Sequence, residues 1–415
     1  MTKLVYVLAQ VMLLNILGVV NCIAVEQKLS GLIDVRATYN NSEMSFVSGG
    51  LGKFRFDPQS HLSLAQAGLS YRANWDNGIA AHVVSNAYWD GVKNNLGITE
   101  AWLGYKGLPS ANGFRLSAKA GIFYPHISLE NVATTWSSPY TLSYSTINSW
   151  LAEEVRHIGL NVGLQHLGKF SQSAHDIGFN IETFINNDTT GAMLAWHGWT
   201  LSSRQTLWQE RLALSAIPAL YGGMLAAQAK ESDPFLELDN RLGYHVSGNW
   251  KWHGKGKFNA GYYNNNANPK VVKQGQYAWL TRFGYIGGKW KLPYNIDLIG
   301  QFMLGDTLMQ SPTGINVVDN DYHSAFLLLS RRWEKHRLTL RVEDYGVVDQ
   351  DNTIDDDNTE AGQAYTLSYA YQLQKGWFLQ AEYNLMDSQR HARIAQGQNS
   401  HALEQQWQLA SRYYF

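Results

Sequence analysis

The chain of 415 residues carries a formal net charge of −1, with 16% charged residues, 13% aromatic ones and 37 Gly. That balance excludes the basic surface of a nucleic-acid binder, and so low a charged fraction is unusual for a soluble globular protein. Beyond the N-terminus there is no run of about 18 apolar residues, so no transmembrane helix is written here.

The first element is MTKLVYVLAQVMLLNILGVVNCIA. Lys3 precedes an apolar stretch from Leu4 to Val20, and the small residues Cys22 and Ala24 stand three and one before a cut after Ala24. This is the pattern of a secretory signal peptide over residues 1–24, leaving 25–415 as a single domain. Asn21 ahead of Cys22 argues against lipid attachment. Cys22 is the single cysteine, so no disulfide is expected in the mature chain. The first strand begins almost at once, which argues against a plug domain and an energy-coupled transporter.

From residue 29 onward, segments of roughly ten residues recur, many alternating apolar and polar as strands with one dry and one wet face do. Strands are predicted near 29–39, 60–73, 79–90, 98–106, 113–124, 155–166, 175–186, 191–203 and 206–216, then 235–251, 256–264, 276–290, 294–305, 322–333, 336–346, 362–374, 377–388 and 402–415. In the fifth, Phe114, Leu116, Ala118, Ala120 and Ile122 share one face, opposite Arg115, Ser117, Lys119, Gly121 and Phe123. Short turns such as NWDNG, GLPSANG and QKG alternate with long connections at 40–59, 125–154, 217–234, 306–321, 347–361 and 389–401. Short turns on one side and long loops on the other predict an all-β chain folded as a transmembrane antiparallel up-and-down barrel of about 18 strands. The segment 206–216 is the weakest strand and nearly helical; without it and one neighbour, an even sixteen remain, and seventeen is disfavoured.

The last strand sets Phe415, Tyr413, Leu409, Trp407 and Leu403 on one face against Arg412, Gln408, Gln406 and Glu404. Its terminal Phe415 resembles the C-terminal signal read by the outer-membrane barrel assembly machinery, which that resemblance implies as a partner.

Residues 125–154 form the third outer connection, read as the longest, and are rich in Trp, Tyr, Ser and Thr. Backbone lying inside a pore needs such side chains to bond and pack against the wall, so this loop is expected to fold into the lumen and form the constriction, across from or beside Arg115 and Lys119. The stretch AKAGIFYPHISLENVATTW, with Gly121, Phe123, Leu129, Glu130, Trp136 and Ser137, resembles the corresponding stretch of the phosphate-selective porin O/P family. The resemblance implies a porin-type barrel with an inward third loop. The chain departs from that family's ladder of basic residues, since its 33 Lys and Arg face 34 acids, which puts phosphate selectivity in doubt.

Strand parity gives the pore-lining candidates: Arg36 with Asp34, Arg115, Lys119, Asn161, Glu182, Arg282, Asp297, Gln301, Arg337, Arg341, Glu343, Gln380 and Glu382. The constriction loop contributes Glu130, Trp136, Glu153 and Glu154. Bases on the wall opposed by loop acids would orient polar solutes, and Trp102, Phe123 and Trp136 would offer stacking faces to sugar rings.

Asp349, Asp351, Thr353, Asp355 and Glu360 match a calcium-loop spacing, but Ile354 stands where the turn needs Gly. A solvated outer loop is expected there, with no metal or cofactor. No HExxH, Walker or Gly-x-Ser-x-Gly motif occurs, so no enzyme is expected. The leading functional reading is a Gram-negative outer-membrane porin for passive diffusion of small hydrophilic solutes. The alternatives are a channel specific for a sugar, a small acid or an anion such as phosphate, and a non-conducting structural barrel. Expected partners are outer-membrane lipid, lipopolysaccharide and small polar solutes, with a homotrimer as the candidate assembly.

Overall fold

A computed structural model describes residues 25–91, 95–223 and 225–415; the expected signal peptide lies outside the described residues. Sixteen strands close one antiparallel barrel in sequence order. They are β1 (Val25–Asn40), β2 (Gln59–Trp75), β3 (Ile79–Ala87), β4 (Leu96–Lys106), β5 (Phe114–Phe123), β6 (His157–His166), β7 (His175–Ile185) and β8 (Gly243–Trp252). There follow β9 (Gly256–Asn264), β10 (Leu280–Leu292), β11 (Ile296–Gln310), β12 (Asn316–Trp333), β13 (His336–Asp349), β14 (Glu360–Gln374), β15 (Trp377–Arg390) and β16 (His401–Tyr414). The even count leaves the start of β1 and the end of β16 on the side of the short turns. The outer loops are L1 (41–58), L2 (88–95), L3 (124–156), L4 (186–242), L5 (265–279), L6 (311–315), L7 (350–359) and L8 (391–400).

The eighteen-strand expectation gives way to its sixteen-strand alternative at 191–203 and 206–216. There the chain makes a short helix, α2 (Ala192–His197), and extended backbone outside the barrel ladder. These residues merge with their flanks into L4, so L4, and not L3, is the longest outer loop. L3 contains its own helix, α1 (Thr146–Glu154), capped by the Ser145 side chain accepting from the Asn148 N–H.

The outward faces carry the lipid band. Leu103, Leu116, Leu160, Leu164, Ile177, Phe179, Leu403 and Leu409 are all exposed, the arrangement a bilayer requires of an alternating strand. At the short-turn rim His175 stacks on Trp250 and tilts against Trp252, and Trp290 meets both Trp250 and Trp252 edge-on, a cluster of the kind found at membrane interfaces. On β16 the parity read from sequence holds: Leu403, Trp407, Leu409, Tyr413 and Phe415 face out, while Glu404, Gln406, Gln408 and Arg412 are buried inside.

Closure is made by β1 against β16, from Leu32 opposite Tyr414 to Asn40 opposite Gln406. Gly31 N–H donates to Phe415 O at 3.0 Å and Phe415 N–H returns to Gly31 O at 3.2 Å. A Cβ on Gly31 would stand 2.4 Å from the Phe415 ring and 2.7 Å from Gly68 O. Gly31→Val is therefore expected to cost about 1–3 kcal/mol of overpacking at the seam. The heat-modifiable band on a denaturing gel should lose its folded form at a lower temperature than the wild type.

The lumen is not simply wet. L3 and L4 pack inside it on the β9–β13 wall, where Trp150 meets Phe283 and Tyr322 edge-on at 5.4 Å and Trp199 at 6.1 Å. Beside them Trp196 of α2 meets Trp279 at 5.0 Å, among Leu212, Leu214 and Ile217. On β10 the inward face is accordingly Thr281, Phe283, Tyr285 and Gly287. Arg282 belongs to the other face and pairs there with Asp306 at 2.6 Å. Its expected place in the pore is corrected on that ground: where the lumen holds a loop core, the wall facing it is aromatic, and polarity no longer marks the inside.

Candidate functional site

L3 leaves β5 at Phe123 and crosses to the far wall, where buried charge holds it. Glu130 accepts from Ser145 N–H at 2.9 Å, Asn148 Nδ2 at 3.0 Å and Thr141 Oγ1 at 3.2 Å, and pairs with Arg341 of β13. Arg341 also pairs with Glu343 at 2.7 Å and donates to Ser143 O and Tyr144 O. Glu343 accepts from Thr146 N–H at 2.7 Å, and Glu382 of β15 accepts from the N–H groups of Leu142 and Ser143. Every one of these charged groups is at most 4% exposed. Ion pairs so placed are sensitive to losing one member, because the remaining charge stays buried. Arg341→Leu leaves Glu130 and Glu343 facing each other without a cation. It should lower unfolding stability by about 3–5 kcal/mol, read by urea titration of tryptophan fluorescence in micelles.

The two loop acids at the end of α1 hold L4. Glu154 accepts from Gly191 N–H at 3.1 Å and Met193 N–H at 3.0 Å, at the start of α2, and from Trp150 Nε1 at 2.7 Å. Glu153 pairs with His197 at 3.0 Å at the other end of α2. From there L4 runs across the outer side of the lumen. Arg390 of β15 donates to Ala195 O, Leu201 N–H to Lys53 O of L1, and both Arg36 and Arg55 to Ser203 Oγ. Arg204 pairs with Asp90 at 2.8 Å and Glu210 at 2.6 Å, Asn86 of β3 donates to Gln205, and Trp208 N–H reaches Ile98 O of β4. Arg36 is thus a loop anchor, paired with Asp34 at 2.8 Å.

On the short-turn side of L3, against β2–β9, lies an open cavity of about 720 Å³. Its wall carries Arg72, His82, Glu100, Trp102, Lys119 and Lys257, and L3 adds His126 and Trp136. Trp136 stacks on Tyr124 with ring centroids 4.8 Å apart. Lys119 Nζ stands 3.8 Å over the Phe123 ring and 5.8 Å from the Trp102 ring. Arg72 donates to Asn74 Oδ1, and Glu100 accepts from Trp102 Nε1. Among the described residues, neither Arg72, Lys119 nor Lys257 has an ion-pairing carboxylate. Two further cavities, of about 350 and 330 Å³, lie on the same side of L3 and add Lys251 and Lys28. By contrast, the cavity among Phe46, Glu153, Arg204 and Leu212, on the outer side, measures about 20 Å³.

The sequence-derived candidates therefore separate. Lys119 and Trp136 line the large cavity. Arg115 points inward beside it and donates to Gln165. Glu182 is held by Asn161 Nδ2 at 2.8 Å and His245 Nδ1 at 3.1 Å. Asp297 pairs with Lys289, and Gln301 donates to Ile127 O. Arg337 stands 5.1 Å from the Tyr140 ring, in a small cavity of about 100 Å³ that Gln380 also lines. Arg36, Glu130, Glu153, Glu154, Arg341, Glu343 and Glu382 fasten loops to wall or to each other. The sequence reading missed Arg72, His82, Glu100, His126 and Lys257. Arg72 had a signal, lying two residues from Ser70 on a predicted strand; Lys257 was hidden in the turn KWHGKGK.

No protein-family model matches this chain, and no curated protein does either. Solved structures do. The in-vitro folded OmpT, an outer membrane protein of Vibrio cholerae in its trimer form, is similar at TM-score 0.55 and 10% identity, over 94% of this chain and 100% of that one. The anion-selective porin from Comamonas acidovorans is similar at TM-score 0.53 and 14% identity, over 94% and 100%. The outer membrane channel DcaP of Acinetobacter baumannii is similar at TM-score 0.55 and 11% identity, over 94% and 98%. The protein has the fold of outer-membrane porins and channels, and a closed barrel with an apolar outward band is a bacterial outer-membrane architecture.

Proposed function

We propose that the protein is an outer-membrane porin that passes small hydrophilic solutes by passive diffusion, with a preference for anions. The observation that carries the preference is the cavity of about 720 Å³ in which Arg72, Lys119 and Lys257 stand without carboxylate partners. Three unpaired cations outnumber Glu100, the acid on the same wall, and an excess of positive charge in a cleft with low-dielectric walls raises the local concentration of anions. L3 narrows the lumen on the β13–β15 side and leaves the path along β2–β9. L4, lying over that path from outside, sets a closed level from which the channel opens. An anion-selective porin among the fold neighbours agrees with this reading. The test is the reversal potential of single channels in a planar bilayer under a KCl gradient. Chloride preference is expected, and potassium preference would overturn it.

A second reading, a channel specific for a sugar, a small acid or phosphate, draws support from the aromatic faces of Trp102 and Trp136 on the same cavity. Concentration-dependent block of the current by one of these solutes would favour it. A barrel that inserts and never conducts would leave the structural reading, which the filled outer lumen favours. A homotrimer is proposed as the assembly, in line with the neighbour solved in a trimer form.

A further inference from the structure

The cavity of about 350 Å³ beside the large one has a wall that spans β5 to β9, and L3 closes it with His126, Ser128 and Leu129. It shares Asn180 and Lys257 with the large cavity, which it adjoins. Strand register sets its polar groups in rows. Lys251 of β8 stands directly opposite Lys257 of β9, and Lys257 directly opposite Lys289 of β10. In the next row towards L3, Asn249 of β8 stands opposite Gly178 of β7. One row further, Asn180 of β7 stands opposite Gly163 of β6. The glycines give the amides room along the wall. A Cβ on Gly178 would meet Asn249 Nδ2 at 2.6 Å, and one on Gly163 would meet Asn180 Oδ1 at 2.5 Å.

Like charges directly opposite on neighbouring strands are destabilising, and little in the lysine row relieves them. Lys289 is spent on Asp297 at 3.2 Å and on the Tyr140 hydroxyl. Asp176 of β7, opposite Lys251, meets His253 Nε2 at 2.8 Å and accepts from Gly168 N–H at 3.0 Å. Among the described residues, the side chains of Lys251, Lys257, Asn180 and Asn249 make no hydrogen bond, and no carboxylate lines the cavity. Asn259 is differently employed. Its Nδ2 donates to Ile127 O at 2.9 Å, which fixes L3 across the cavity and sets His126 at its edge.

We propose that this cavity binds a sugar acid, a monosaccharide whose carboxylate lies between Lys251 and Lys257 and whose hydroxyls bond Asn249 and Asn180. The proposal rests on the reading of the barrel as an anion-preferring pore and names the solute class held in it. A carboxylate between the two ammonium groups removes their repulsion and gains charge-assisted hydrogen bonds, roughly twice as strong as neutral ones. A side-chain amide offers both donors and an acceptor. A hydroxyl uses both, whereas a bare anion uses donors alone and leaves the acceptors idle. The volume falls in the lower part of the roughly 300–1,000 Å³ that small-molecule sites occupy.

The test is chloride current through the full chain in a planar bilayer, with glucuronate as the probe, glucose as its neutral counterpart and acetate as the anion without hydroxyls. Saturable block by glucuronate is expected at concentrations about ten-fold or more below either counterpart, because a site built to bond hydroxyls rejects an analogue without them. Asn180→Leu with Asn249→Leu should erase the difference between glucuronate and acetate. Lys251→Gln should weaken block by glucuronate about ten-fold. Lys255→Gln, in the turn between β8 and β9 and outside the cavity, should leave it unaltered. Chloride preference with glucuronate no more potent than acetate overturns the proposal and leaves the porin reading standing; potassium preference overturns both together. Glucose 6-phosphate that blocks about ten-fold more tightly than glucuronate overturns the assignment to a carboxylate. Equal weakening by Lys251→Gln and Lys255→Gln overturns it too, since diffuse charge would then suffice. The wild-type arms stand whether or not the variants fold.

Discussion

Replacing residues 199–212 with a short Gly-Ser linker is expected to raise single-channel conductance several-fold, more than shortening L3 does. The segment crosses the outer lumen from the β14–β15 wall to β4, fixed at Glu360, Lys53, Ser149 and Ile98. Its Trp208 also stacks on Phe235 at 5.1 Å, over Arg156, directly outside the Tyr124 and Trp136 pair. On the proposed path, ions leaving the large cavity outward would meet this layer first. Removing it takes away Arg204 and Glu210 together and leaves Asp90 paired with Arg55 at 2.8 Å, so no lone buried charge is created. Deleting 132–148 from L3 instead should widen the lumen on the β13–β15 side, raise conductance less, and reduce ion selectivity. Conductance at the wild-type level in both deletions, measured on barrels of proven heat-modifiability, would show that neither loop limits the current.

Charge reversal at Lys119 and Lys257 together is expected to turn chloride preference into potassium preference. Both line the cavity and neither makes an ion pair, so their charge is offset only from a distance, by Glu100 on the same wall and Glu182 near Lys119. Lys119 lies over the Phe123 and Trp102 rings, where water is partly excluded and charge acts more strongly. The permeability ratio should fall by about an order of magnitude for Lys119→Glu with Lys257→Glu, as expected for a focused field. The shift should be largest at low salt, because the screening length is about 10 Å at 0.1 M and shorter above it. Arg115→Gln, at a residue that bonds Gln165, should change the ratio far less. A double variant that keeps chloride preference at low salt would place selectivity elsewhere.

The barrel was legible because lipid enforces it. Strands such as β5 and β16 must put Leu116 or Leu409 outward whatever lies inside, so the period of two survives in the sequence. L4 misled for a physical reason. Residues 199–206, WTLSSRQT, are extended and alternate as a strand does, but their N–H groups go to scattered partners: Trp199 to Glu360, Ser202 to Ser149 and Gln205 to Tyr88, with only single backbone bonds from Leu201 to Lys53 and Thr206 to Ala152. Extended backbone without a ladder leaves the same sequence trace as a strand. The site was less legible than the fold. Whether a lumen base is free or paired depends on residues far away in sequence; Arg341 meets Glu130 across 211 positions. Parity could put Arg341 and Lys119 on the same list and had no means of telling the anchor from the open charge.

The aromatic core formed by Trp150, Trp199, Phe283 and Tyr322 inside the barrel has a thermodynamic consequence. In a bilayer or micelle the outward apolar band remains in hydrocarbon, so its contribution to the heat capacity of any opening is small. The lumen core is different, because when L3 and L4 come free it is water that enters, and apolar hydration raises heat capacity. The loops and the ladder are therefore separate melting units within one chain. The inner one behaves like the interior of a small soluble protein, losing strength on cooling as well as on heating, while the hydrogen-bonded cylinder around it stands.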